Sequence, residues 1–174
     1  MAGQLFFIAA MPRSGTAWTS QLMSLCPNAY CLHEGEAQFR NDLVDHLRGR
    51  QEFYAGDSAP LACAPHFDQI EAKRVCIMRP MGEVVPSTLK ALHGLVTQKH
   101  LWDHLEILQR WCVKHSPLLV EFKDLFTLEG SRKIWEYLLP GEYFPAHKVS
   151  ALIRVRVEQV IPDRETILKS ALQQ

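Results

Sequence analysis

The chain has 174 residues, 47% of them hydrophobic, enough to bury one core and too few for two domains of ordinary size, so residues 1–174 are read as a single domain. Nineteen basic residues balance nineteen acidic ones at a formal net charge of zero, which leaves no overall field to hold the protein on nucleic acid or an anionic membrane. Any anion it binds must be gripped by a local site.

The run from Gln4 to Met11 is apolar on both faces, as expected of a strand covered by helices on both sides. It lacks a preceding basic region and leads straight into Pro12-Arg13-Ser14-Gly15, so it reads as a buried strand and not as a signal peptide. A turn at Pro12 and Gly15 precedes a helix predicted over Thr16 to Leu25, with Trp18, Leu22, Met23 and Leu25 on its apolar side, and Pro27-Asn28 ends it. Ala29 to Leu32 follows as a short strand. Glu36 to Arg50 carries Phe39, Leu43, Val44 and Leu47 at helical spacing, and Gly56-Asp57-Ser58-Ala59-Pro60 reads as a loop.

Lys73 to Arg79 is a second buried strand, built on Val75-Cys76-Ile77-Met78 and stopped by Pro80. A helix is expected over Gly82 to Leu95, in which Pro86 is tolerated only within the first turn or two. An amphipathic helix over Leu101 to Lys114 leads to a strand over Leu118 to Phe122, and Ser131 to Leu139 forms a further helix. From Val149 to Val160 the partial alternation of Ile153, Val155 and Val157 suggests a strand or irregular segment, with a closing helix over Arg164 to Leu172. Strands alternating with helices imply an α/β fold with a central, mostly parallel sheet flanked by helices in three layers, whose ligands sit beyond the carboxyl ends of the strands.

Five cysteines, odd in number and scattered through apolar runs, suit reduced core thiols and a cytoplasmic setting better than a disulfide framework. No run approaches the roughly 18 continuous apolar residues of a membrane span. His93, His100 and His104 suggest a metal cluster at first sight, but no acidic or cysteine partner stands in a recognised spacing, so a solvated face is expected and no metal.

Strand, tight polar turn, then helix N-terminus is an arrangement that binds phosphate or sulfate, because unpaired N–H groups and the positive end of the helix dipole face the anion. Residues 5–25 have this layout. Arg13 adds a positive fork, Gly15 lets the backbone come close, and the Ser14 and Thr16 hydroxyls add donors. A Walker A loop needs a second glycine followed by lysine, which this sequence lacks, so hydrolysis of a nucleoside triphosphate is disfavoured. The plain alternative is a structural turn with Ser14 or Thr16 as helix cap.

Pro12-Arg13-Ser14-Gly15-Thr16-Ala17-Trp18 resembles the 5′-phosphosulfate loop of the sulfotransferase superfamily, a fold of the P-loop nucleotide kinase kind. A second match is independent of the first. The family places an arginine at a strand end and a serine eight residues later, and here Arg79 and Ser87 stand at that interval. Weaker similarities lie at Gly56 to Pro60, at Val120 to Leu125 and at Ile134 to Leu138, so the resemblance spans roughly residues 5–140. It implies 3′-phosphoadenosine 5′-phosphosulfate as sulfuryl donor, with Arg13, Ser14, Gly15, Thr16 and Ala17 at the 5′-phosphosulfate, Trp18 against the adenine, and Arg79 with Ser87 on the 3′-phosphate.

Sulfuryl transfer also needs a base for the acceptor proton. Glu34 is the first candidate: it lies just past the second strand, and it follows Arg13 by 21 residues, as the catalytic glutamate follows the loop arginine in tyrosylprotein-type sulfotransferases. His33 is the second, since the cytosolic branch uses a histidine, although on a later segment. Glu34 could equally answer a helix dipole, and Trp18 could be core. Asp57 and Ser58 stand where the branch with a glutamate base has a lysine, which leaves neutralisation of charge on the leaving phosphate to Arg13 alone or to an unidentified residue. The expected partner is a small-molecule, carbohydrate or peptide acceptor presenting a hydroxyl or amine. The competing readings are a nucleotide or small-molecule kinase of related fold and a non-catalytic nucleotide-binding member of the same fold.

Overall fold

The computed structural model describes residues 2–39 and 42–154. Five strands form one parallel sheet: β1 (Gln4–Ala10), β2 (Ala29–His33), β3 (Tyr54–Ala59), β4 (Lys73–Met78) and β5 (Leu118–Glu121), in the order β2-β3-β1-β4-β5. The helices are α1 (Thr16–Met23), α2 (Gly35–Phe39), α3 (Leu43–Arg48), α4 (Met81–Leu92), α5 (Gln98–His115), α6 (Leu128–Leu138) and α7 (Ala146–Arg154). The expected three-layer α/β architecture is the one found.

The apolar run of β1 feeds both layers. Phe6, Ile8 and Ala10 face one core with Trp18 and Leu22 of α1, Ile134 and Trp135 of α6 and Val149 of α7. Leu5, Phe7 and Ala9 face the other, with Leu43 and Leu47 of α3 and Leu101, Leu108 and Trp111 of α5. Alternation along a strand sends successive side chains to opposite faces, so a central parallel strand must be apolar throughout. Phe6 and Phe7 are both fully buried, and each such ring stabilises the fold by roughly 1.5–3 kcal/mol.

Three predicted elements are corrected. Gly56 to Ala59, expected as a loop, belongs to β3, which is buried over its whole length between β1 and β2. The helix expected over Glu36 to Arg50 is two short ones, α2 and α3. The strand expected from Val149 starts instead as helix α7, because Val149, Leu152 and Ile153 at spacings of three and four lie against the α6 side of the core. Val155, Val157, Arg156 and the helix expected over Arg164 to Leu172 lie outside the described residues. Arg154 ends α7 and is exposed. Pro86 is the sixth residue of α4 and leaves the Gly82 carbonyl without its usual partner, which is tolerable because Gly82 is exposed to water.

The amino ends of the strands are tied to the end of α6. Gln4 donates to the Leu138 carbonyl, Lys73 to that of Tyr137, and the Tyr54 hydroxyl to that of Pro140. The opposite edge, where the strands end, carries the polar loops.

Candidate functional site

The turn after β1 is conformationally demanding. Arg13 has φ 63° and Gly15 φ 89°, both in the left-handed region. Gly15 is the residue before α1, which has no side-chain cap, so the first-turn N–H groups of α1 lack the usual internal acceptor. A side chain at position 15 would run into Leu125 of the segment after β5, so glycine is needed for space as well as for φ. Ser14 is fully buried, with its hydroxyl turned back to the Pro12 carbonyl at 3.5 Å.

Beneath the turn lies a hydroxyl network. Thr19 and Ser58 oxygens are 2.7 Å apart, Ser58 donates to the Thr16 carbonyl at 2.9 Å, and Thr19 reaches the Gly15 and Thr16 carbonyls at 3.2 and 3.0 Å. Satisfied on the inside, the loop keeps a fixed shape. Ser58 comes from β3, an element that its own composition hides.

Arg79, at the end of β4, donates to the Arg13 carbonyl, lies with its guanidinium 4.2 Å from the centre of the Phe122 ring and pairs with Glu83 at 3.1 Å. One helical residue past Ser87, Thr88 reaches the Pro12 carbonyl at 3.5 Å. The Arg13 turn, the Arg79 strand end and the Ser87 helix therefore share one edge of the sheet, on adjacent strands β1 and β4.

His33 and Glu34 stand at the same edge, at the end of β2. The His33 Nε2 is 3.2 Å from the Thr16 hydroxyl and 3.7 Å from a Glu34 carboxylate oxygen. Burial pulls the His33 imidazole below its ordinary value against the pull of Glu34, so it is neutral at pH 7. Glu34 has φ 57°, a third left-handed residue at this edge. Trp18 is only 3% exposed, packed edge-on to Phe126 at 5.5 Å in the α1 core, and its indole N–H has no partner among the described residues.

No protein-family model matches this sequence, and no curated protein matches it. Solved structures do. A mouse sulfotransferase, SULT7A1, complexed with PAP, is 13% identical over 99% of this chain and 65% of its own, with a TM-score of 0.57. A retinol dehydratase in complex with androsterone and the inactive cofactor PAP is 14% identical over 88% of this chain and 64% of its own, with a TM-score of 0.54. This chain has the sulfotransferase fold. It spans less than two thirds of the length of either of these chains.

Within that fold, two residues at the loop edge have surroundings that the sequence does not show. Asp57 of β3 is fully buried, and its Oδ1 accepts the Gly35 N–H at 2.9 Å. Burial raises its carboxyl from 3.8 to about 7, aided by the negative charges of Glu34 and Glu36 and opposed by backbone N–H groups of Gly35 and Ser58. His104 was expected on a solvated face. It is instead partly buried on α5, 3.3 Å from the Ala10 carbonyl at the end of β1, and burial lowers its imidazole. His100 caps α5 through the Thr97 backbone N–H, and His93 ends α4. Among the described residues no group of three or more His, Cys, Asp or Glu side chains could hold a metal ion. All five cysteines are free.

Proposed function

We propose that the chain is a sulfotransferase that uses 3′-phosphoadenosine 5′-phosphosulfate and passes its sulfuryl group to a hydroxyl or amine acceptor. The observation that carries the reading is the contact of the Arg79 guanidinium with the Arg13 carbonyl, which brings two separately recognised motifs together at one edge of the sheet. PAP in both similar structures supports the same ligand class. The residues fit it: the left-handed Gly15, lacking a Cβ, and the uncapped start of α1 form a cradle for an anion.

When bound, the donor supplies an activated sulfuryl group. Residues 13–17 hold its 5′ end through backbone N–H groups and the Arg13 side chain, and Arg13 offsets the charge left on the departing phosphate. Arg79 and Ser87 hold the 3′-phosphate. The resemblance puts Trp18 against the adenine, whereas its ring here is buried in the α1 core beside Phe126. Glu34 takes the proton from the acceptor oxygen or nitrogen as that atom attacks sulfur. His33 is the competing base, favoured by its direct contact with Thr16 and its neutral ring. The acceptor is a small molecule, carbohydrate or peptide.

Addition of PAP is expected to raise the melting temperature, and Arg13→Ala or Ser87→Ala to reduce that rise. No rise at saturating PAP removes the reading. A screen for transfer of radiolabelled sulfate to phenol, carbohydrate, lipid and peptide acceptors then separates an active enzyme from a nucleotide-binding module. Glu34→Gln is expected to suppress transfer; equal product from this variant moves the base to His33.

A further inference from the structure

A carboxylate in the middle of a parallel sheet is costly unless it is bonded, and Asp57 is such a group. Its register partners are Phe7 on β1 and Leu32 on β2, and Leu43 of α3 closes over the Gly35 position beside it. Oδ1 is used by the Gly35 N–H, while Oδ2 is buried with no hydrogen-bond partner among the described residues. Gly35 directly follows Glu34. A non-glycine residue at φ 57° is strained and persists only where its neighbours hold it. Among the bonds that do so, Glu34 N–H donates to the Ser58 carbonyl at 3.3 Å, Gly35 N–H to the Asp57 carboxylate at 2.9 Å and Ala37 N–H to the Glu34 carbonyl at 3.1 Å, the first two tying consecutive residues of the turn to consecutive residues of β3.

We propose that Asp57 is a positioning residue for Glu34, holding the left-handed turn that carries this carboxylate and setting the charge behind it. The inference rests on the sulfotransferase reading and assigns Asp57 no contact with donor or acceptor. Because its carboxyl ionises at about 7, Asp57 is partly neutral and partly charged at physiological pH. The titratable groups facing it are Glu34 and Glu36, and the Cys31 thiol of β2 feels its charge in turn. Glu36 is itself 3.5 Å from His66. The residues nearest Asp57 on β1 and α3 are apolar. Ionised, Asp57 places a negative charge behind the turn that carries Glu34; protonated, it removes that charge.

The test is a nuclear magnetic resonance titration of the full chain, following the Gly35 amide and the Glu34 side-chain carboxyl carbon from pH 5 to 9, with PAP affinity measured calorimetrically alongside. In the wild type both signals are expected to show an inflection close to 7 in addition to the ionisation of Glu34 itself. In Asp57→Asn, which keeps an oxygen for the Gly35 N–H, that inflection disappears and PAP affinity is unchanged. A merely structural Asp57 would not imprint its titration on Glu34. PAP binding together with signals that stay flat around pH 7 overturns the inference alone. A wild type that ignores PAP overturns the nucleotide reading, and the role of Asp57 with it. Should the Asn variant fail to fold, the wild-type titration decides.

Discussion

At Asp57 the energetic cost of a buried charge can be separated from its use by pH. An acid whose folded value is raised from 3.8 to about 7 favours the folded state while protonated, and that advantage is lost as pH rises through this window. About three units at 1.36 kcal/mol each give a loss on the order of 4 kcal/mol between pH 4 and pH 8. Asp57→Asn is neutral throughout, so its melting temperature is expected to exceed that of the wild type at pH 8, with the gap closing towards pH 4. Calorimetric scans at both ends of the range measure it, and a variant that melts lower at pH 8 contradicts the raised ionisation. Asp57 also marks the limit of what a single residue reveals in sequence. Arg13, Gly15 and Arg79 could be read because their meaning is local: a turn after an apolar run, or a cation before a proline. Asp57 has meaning only through Gly35, which lies 22 residues away and reaches it by sheet pairing.

Among the elements, β3 shows why composition misled. Gly, Asp and Ser in succession satisfy every rule for a turn, yet the segment is extended because β1 and β2 pair with it on both sides. Tertiary pairing overrides local preference in such a case. Gly56 is there for space: a Cβ at this position would press on the ring and carbonyl of Phe6, its register partner. Gly56→Val raises β propensity and is nevertheless expected to destabilise, by about 1–3 kcal/mol or more from overpacking. Denaturant unfolding checks this, and a variant as stable as the wild type would mean that β3 does not pack so tightly on β1. The opposite error occurred at α7, where alternating Ile153, Val155 and Val157 outweighed the helical spacing of Val149, Leu152 and Ile153. Long apolar strands such as β1 and β4 were legible because burial on both faces leaves no other composition open to them.

For the molecule as a whole, strand order decides where chemistry is possible. From β1 the chain runs out to β2, returns through β3 to one side of β1, and continues with β4 on the other. The β1 turn thus lies at the point where the order switches, the place where α/β sheets bind ligands. Arg79 is the joint that uses this topology, since it links the end of β4 to the Arg13 carbonyl while stacking on Phe122 from the segment after β5. If Arg79 both pins the loop and grips the nucleotide, its removal has two separable effects. Arg79→Ala is expected to speed hydrogen exchange at the amides of residues 13–16 without ligand and to weaken PAP binding by more than about tenfold, the loss typical of a charged hydrogen-bonding partner. Arg79→Lys keeps a cation but loses the planar fork, so it should recover part of the affinity and little of the loop protection. Unchanged exchange in Arg79→Ala would show that the loop holds itself, through Thr19 and Ser58, and that the arginine serves the ligand only.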